Sequence, residues 1–154
     1  TTTITAGTAL YAGTVNRVGY LNFTTDVRSW TGYVSNFRFT KSAVYDPTLT
    51  TMTVPTSLTV PITNTQTQLN FTNAGIYDGT MKNNLETVGD AQVSTSVVKY
   101  GSGSMKFDGT GDYLSIPNTQ AFNFNAGNFT IEFWAMIGLT SSEMCVFHNY
   151  NADN

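Results

Sequence analysis

Large apolar residues recur along the chain in short period-two runs, each bounded by Gly, Asn, Asp or Pro, the pattern of half-buried β-strands joined by turns. No segment of helical length carries a sustained 3.6-residue period. Tyr33, Phe37 and Phe39 alternate with Asn36, Arg38 and Thr40, which predicts a strand over Tyr33–Lys41 with one apolar face. Residues Gly103–Asp108 and Asp112–Pro117 flank Gly109-Thr110-Gly111, and glycines that accept positive φ at such a link predict a hairpin. The run Asn128–Ile137 sets Phe129, Ile131, Phe133, Ala135 and Ile137 on one face, which is expected to be core. Its other face carries Thr130, Glu132, Trp134 and Met136.

A different segment separates these runs. Three of the four prolines, Pro47, Pro55 and Pro61, lie among Thr, Ser and isolated apolar residues. Proline lacks the amide hydrogen that a central strand donates, so the segment reads as an extended linker. The expected organisation is therefore residues 1–46, a Pro/Thr-rich linker at 47–63, and residues 64–154. An open β piece of the smaller size buries too little surface to be stable alone. The chain is accordingly expected to be a window cut from a longer protein, holding the tail of one domain and the front of the next.

Composition narrows the class. Charged residues make up 11% of the chain against about 25% in an average domain, and Thr, Ser, Asn and Gln together exceed a third of it. Thr favours strands and Asn favours turns, so the bias agrees with an all-β fold. Seven Lys and Arg against ten Asp and Glu give a net charge of -3 without a basic run, which argues against nucleic acid as a partner. No apolar stretch reaches the roughly 18 residues of a membrane span, so no membrane insertion is expected. The single cysteine, Cys145, excludes an internal disulfide and reads as a small buried residue.

Three stretches carry a family pattern. They are Trp30-Thr31-Gly32-Tyr33-Val34-Ser35-Asn36-Phe37-Arg38-Phe39-Thr40-Lys41, then Gly101 through Leu114 with its Phe107-Asp108-Gly109-Thr110-Gly111-Asp112-Tyr113 centre, then Phe129-Thr130-Ile131-Glu132-Phe133-Trp134. Together they resemble the concanavalin A-like lectin/glucanase superfamily of laminin-G-like jelly rolls. In that family the hairpin and the F-T-x-E-x-W strand open the domain and the first of these stretches closes it. The reversed order here is what a window across two tandem modules would show; a circular permutation of one domain is the alternative. The closing strand, the Pro/Thr linker and Leu69-Asn70-Phe71-Thr72-Asn73 are similar to tandem modules of marine bacteriophage tail-fibre and virion-surface proteins. The resemblance implies an antiparallel β-sandwich of jelly-roll type on the surface of a virion, extracellular in setting. Its expected partners are a host cell-surface glycan and other virion subunits, with homo-oligomers.

Candidate chemistry is sparse. Glucanases of this superfamily hold their two carboxyls about 5 Å apart on one strand, whereas Glu132 is followed on its own face by Trp134 and Met136. The only histidine, His148, has no G-x-S-x-G elbow beside it and reads as a solvated loop residue. No catalytic residue and no enzymatic activity are expected. Sugar binding needs an aromatic platform with planar amides, acids or guanidinium groups beside it, and Asn36, Arg38, Glu132 and Trp134 supply that set. Asp108 and Asp112 bracket the glycine link and offer calcium too few oxygens; they are expected to cap the turn, with no metal and no cofactor. The other expectations are a purely structural assembly module without a sugar ligand, and part of a secreted glycan hydrolase whose carboxylates lie outside the window.

Overall fold

A computed structural model describes residues 15–23, 26–72, 75–123, 127–138 and 143–149. The strands are β1 (Val15–Val18), β2 (Tyr20–Phe23), β3 (Asp26–Ser29), β4 (Thr31–Thr40), β5 (Thr65–Leu69), β6 (Glu86–Val88), β7 (Gln92–Ser94), β8 (Ser104–Asp108), β9 (Tyr113–Pro117), β10 (Thr130–Ile137) and β11 (Phe147–Asn149). One turn of 3-10 helix, Gln120–Phe122, is capped by the Thr119 hydroxyl. One sheet has the order β11-β1-β9-β6. A second has the order β10-β4-β8-β7 with β5 also on β4, and β2 pairs with β3. Every pairing is antiparallel, and the fold is an all-β arrangement of β-sandwich type.

The core takes Val18, Leu114 and Ile116 from the first sheet and Val34, Phe37, Phe39, Leu69, Met105 and Phe107 from the second. Phe39 stacks on Phe122 with ring centroids 5.4 Å apart, and Phe37 lies 5.7 Å from Phe147. Because β1 pairs with β9 and β11, while β4 pairs with β5, β8 and β10, residues on both sides of 47–63 build common sheets and one core. Among the described residues, the expected boundary does not separate two packed units. The segment itself contains no strand, as its prolines require.

Two local expectations are corrected. The glycine link is not a hairpin, since β8 and β9 belong to different sheets. It is an arch that carries the chain over the edge of the core, with Met105 and Phe107 facing Leu114 and Ile116 across it. Gly109 and Gly111 do take positive φ, +91° and +76°. The Asp112 carboxylate accepts the amide hydrogens of Asp108 (2.9 Å) and Asp90 (2.8 Å), a role expected of an acid beside such a turn. The apolar face of β10 is only partly core: Phe129 and Ile131 pack against the cluster, but Phe133 and Ile137 are 37% and 53% exposed. β10 is the outermost strand of its sheet among the described residues, and Phe133, although stacked on Phe37 with ring centroids 6.1 Å apart, stays partly open there.

His148 is also corrected, being a buried residue of β11 opposite Arg17 of β1. Burial, and then the Arg17 charge, hold its imidazole down at about 4 from an ordinary 6.5. The folded state therefore disfavours the proton that the unfolded chain accepts. Stability is complete above pH 6.5 and falls as the pH drops toward 4, by up to about 3 kcal/mol for this group. Urea titrations across that window should show the loss, and His148→Gln should flatten it.

Candidate functional site

The outer face of the second sheet is organised by an irregularity in β4. Arg38 lies opposite Glu132 of β10, but Ser35 lies opposite Trp134, so three steps on β4 match two on β10. The extra residue is absorbed at Asn36, whose φ of +57° is a left-handed conformation that asparagine tolerates better than most side chains. This bulge reverses the alternation along the strand. Val34 points inward on one side of it and Phe37 and Phe39 on the other, while Ser35 and Asn36 follow each other on the outer face. Tyr33, expected on the same face as Phe37, is outward for that reason.

Beyond the bulge, Asn36, Arg38 and Glu132 are engaged by the chain itself. Asn36 Oδ1 accepts from the Thr59 amide and hydroxyl, both at 2.8 Å, and its Nδ2 donates to the Ser57 carbonyl at 3.4 Å. Gln68 Nε2 donates to the same Thr59 hydroxyl at 3.1 Å. Arg38 pairs with Glu132, their side chains 7% and 14% exposed, and its Nη1 donates to the Val60 carbonyl at 2.9 Å. The Tyr45 hydroxyl donates to the second Glu132 oxygen. Burial, then the hydrogen bond and charge of Glu132, push the Tyr45 phenol up to about 12, against an opposing pull from Arg38. The expected linker is thus a strap tied across the sheet at Ser57, Thr59 and Val60. Asn36, Arg38 and Glu132, three of the four residues expected to contact sugar, do this tying and present no free polar edge.

Trp134, the fourth, lies on the other side of the bulge. Its ring meets Tyr100 edge-on, with centroids 5.7 Å apart at 71°, and the Lys99 ammonium sits 4.8 Å above it. Residues 95–100 pass over the sheet here, held by the Ser104 hydroxyl donating to the Val97 carbonyl. A cleft of roughly 270 Å³ opens between that loop and the strands, lined by Tyr33, Ser35, Lys99, Ser104, Trp134 and Met136 among others. Ser35 is only 3% exposed, and its Oγ has no hydrogen-bond partner. A buried hydroxyl without a partner carries a desolvation cost of about 1–3 kcal/mol. Tyr33 and Ser35 were hidden in the sequence by the bulge. Lys99 and Tyr100 belong to a loop whose course no local pattern signals.

The acidic groups suit other work. Ligand oxygens of Asp90, Asp108 and Asp112 lie within 4.8 Å of one another, yet both Asp112 oxygens already accept backbone amides and Asp108 accepts from Thr110 at 2.6 Å. Burial pushes the Cys145 thiol up to about 11, so it is a poor nucleophile at neutral pH. No protein-family model, curated protein or solved structure matches this chain.

Proposed function

We propose that the protein is a non-enzymatic glycan-binding module of laminin-G-like jelly-roll kind, and that its sugar site is the Trp134 cleft. The observation that carries this reading is one cleft lined by the aromatic side chains of Trp134 and Tyr33 together with the exposed Lys99 ammonium. A pyranose ring stacks its apolar face on an aromatic ring and gives its hydroxyls to nearby polar groups. Glu132 is neutralised by Arg38 and bonded to Tyr45, which supports a binding role over acid/base chemistry. The similarity of the closing strand, the Pro/Thr segment and Leu69-Asn70-Phe71-Thr72-Asn73 to virion-surface modules supports adhesion to a host-surface glycan as the setting. Weak single sites of this kind gain strength by repetition and oligomerisation.

Trp134→Ala should lower affinity for a bound glycan by about 10- to 100-fold, the loss of one stacking platform, without abolishing folding. A glycan array followed by calorimetry on the binder identified would measure it. Unchanged affinity in the mutant would move the site elsewhere. A second reading, an assembly module, is favoured by the outer edge of β10, which is unpaired among the described residues and beside which Phe133, Met136 and Ile137 are exposed.

A further inference from the structure

We infer that the cleft is one end of a longer groove that selects an acidic polysaccharide, a pyranose chain bearing carboxylates, over a neutral one. This rests on the proposed sugar site and specifies its ligand class. A second basin, roughly 310 Å³, lies next to the Trp134 cleft, and Tyr33 lines both. Strand register places the two on the same face of the sheet. Met136, Tyr33, Lys106 and Gln92 are successive cross-strand neighbours over β10, β4, β8 and β7, and form one row across the outer face. Trp134 lies opposite Ser35, and Ser104 opposite Ser94, in the next row. Each basin is close to the lower end, about 300 Å³, of ordinary ligand sites, so together they suit consecutive units of a chain better than one small molecule.

The charge of the groove points to the ligand. Among the described residues, Lys99 in the first basin and Lys106 in the second are the only charged side chains lining either basin, and no carboxylate lines them. Acids outnumber cations ten to seven in the chain, so a lining without acids runs against the overall balance. Both lysines are exposed. Lys99 rests on the Trp134 and Tyr100 rings, which leaves its ammonium donors to meet a carboxylate carried by a stacked sugar. Hydroxyls of Ser94 and Ser96, which bond each other, and the exposed Gln92 amide lie along the same floor, where ring hydroxyls would be met.

The test titrates the whole chain with a galacturonate hexamer and with its carboxyl-reduced, neutral counterpart, at low and high salt. The acidic oligomer should bind about tenfold more tightly at low salt and lose that advantage at high salt. Lys99→Gln and Lys106→Gln, both at exposed positions, should each lower the acidic affinity by about three- to fivefold more than the neutral affinity. Equal, Trp134-dependent affinity for the two oligomers would overturn the acidic preference and leave the sugar site standing. No binding of either oligomer by the folded chain would overturn both. Equal binding of a single-stranded DNA of matching charge, with the same lysine dependence, would make the groove a general polyanion surface and overturn the selectivity.

Discussion

Arg38→Ala should destabilise the fold by about 3–5 kcal/mol, the cost of leaving one member of a buried ion pair without its partner. Three things are lost together. The Glu132 carboxylate keeps only the Tyr45 hydroxyl, the Val60 carbonyl loses its donor, and the strap loses one of its ties to the sheet. Urea denaturation of both proteins measures the difference, and a loss below about 1 kcal/mol would place the pair among surface ion pairs of small worth. The joint replacement Arg38→Met with Glu132→Leu separates charge burial from packing. Removing both charges avoids the stranded carboxylate and should recover much of the loss. Sugar binding in a folded Arg38 variant should persist, because Arg38 lies beyond the bulge from the Trp134 cleft.

Gly32→Ala should be of similar size. Gly32 has a φ of +137°, a conformation nearly closed to residues with a Cβ, and a Cβ built there would stand 2.1 Å from the Met136 carbonyl oxygen. That oxygen belongs to the backbone of β10, and the neighbouring Gly138 amide donates to the Thr31 carbonyl at 2.8 Å, so neither strand can move away without losing pairing. A loss of at least about 3 kcal/mol is expected from strain and broken ladder bonds together. Thermal melting gives the total. Faster amide exchange at Ile137 and Gly138 than at Ile131 would locate the damage at the Gly32 end of the pair, whereas a melting temperature within a degree or two of the parent would refute the clash.

Much of the architecture was legible because apolar alternation dictates it. Phe37 and Phe39, Met105 and Phe107, and Leu114 and Ile116 all face inward as their spacing requires. What the alternation could not carry was its own interruption. One residue inserted at Asn36 moves every side chain on its far side to the opposite face, and in a chain with many asparagines outside any bulge, that one carries no distinguishing mark. The arch at Gly109 to Gly111 failed for a related reason. Two amphipathic strands joined by glycines fit a hairpin within a sheet and a crossing between sheets equally well, and only the partners β4 and β1 decide between them. At the site, three of the four residues expected to meet sugar serve the fold instead: Arg38 and Glu132 satisfy one another directly across a strand pair, and Asn36 holds Thr59. A proline-rich segment read as a spacer turns out to be what Asn36 and Arg38 hold.

The central position of β4 bears on how the chain is made. Its partners arrive late: Glu132 is 94 residues beyond Arg38, and translation at about 5–20 residues per second delays that arrival by on the order of several seconds. Until then Phe37 and Phe39 have no finished core to enter. During that interval the β2–β3 and β4–β5 pairings are available, but the edge of β4 that β10 will cover stays open. Non-local topologies of this kind fold in milliseconds to seconds once complete, so emergence from the ribosome, and not collapse, sets the pace at which the protein first becomes native.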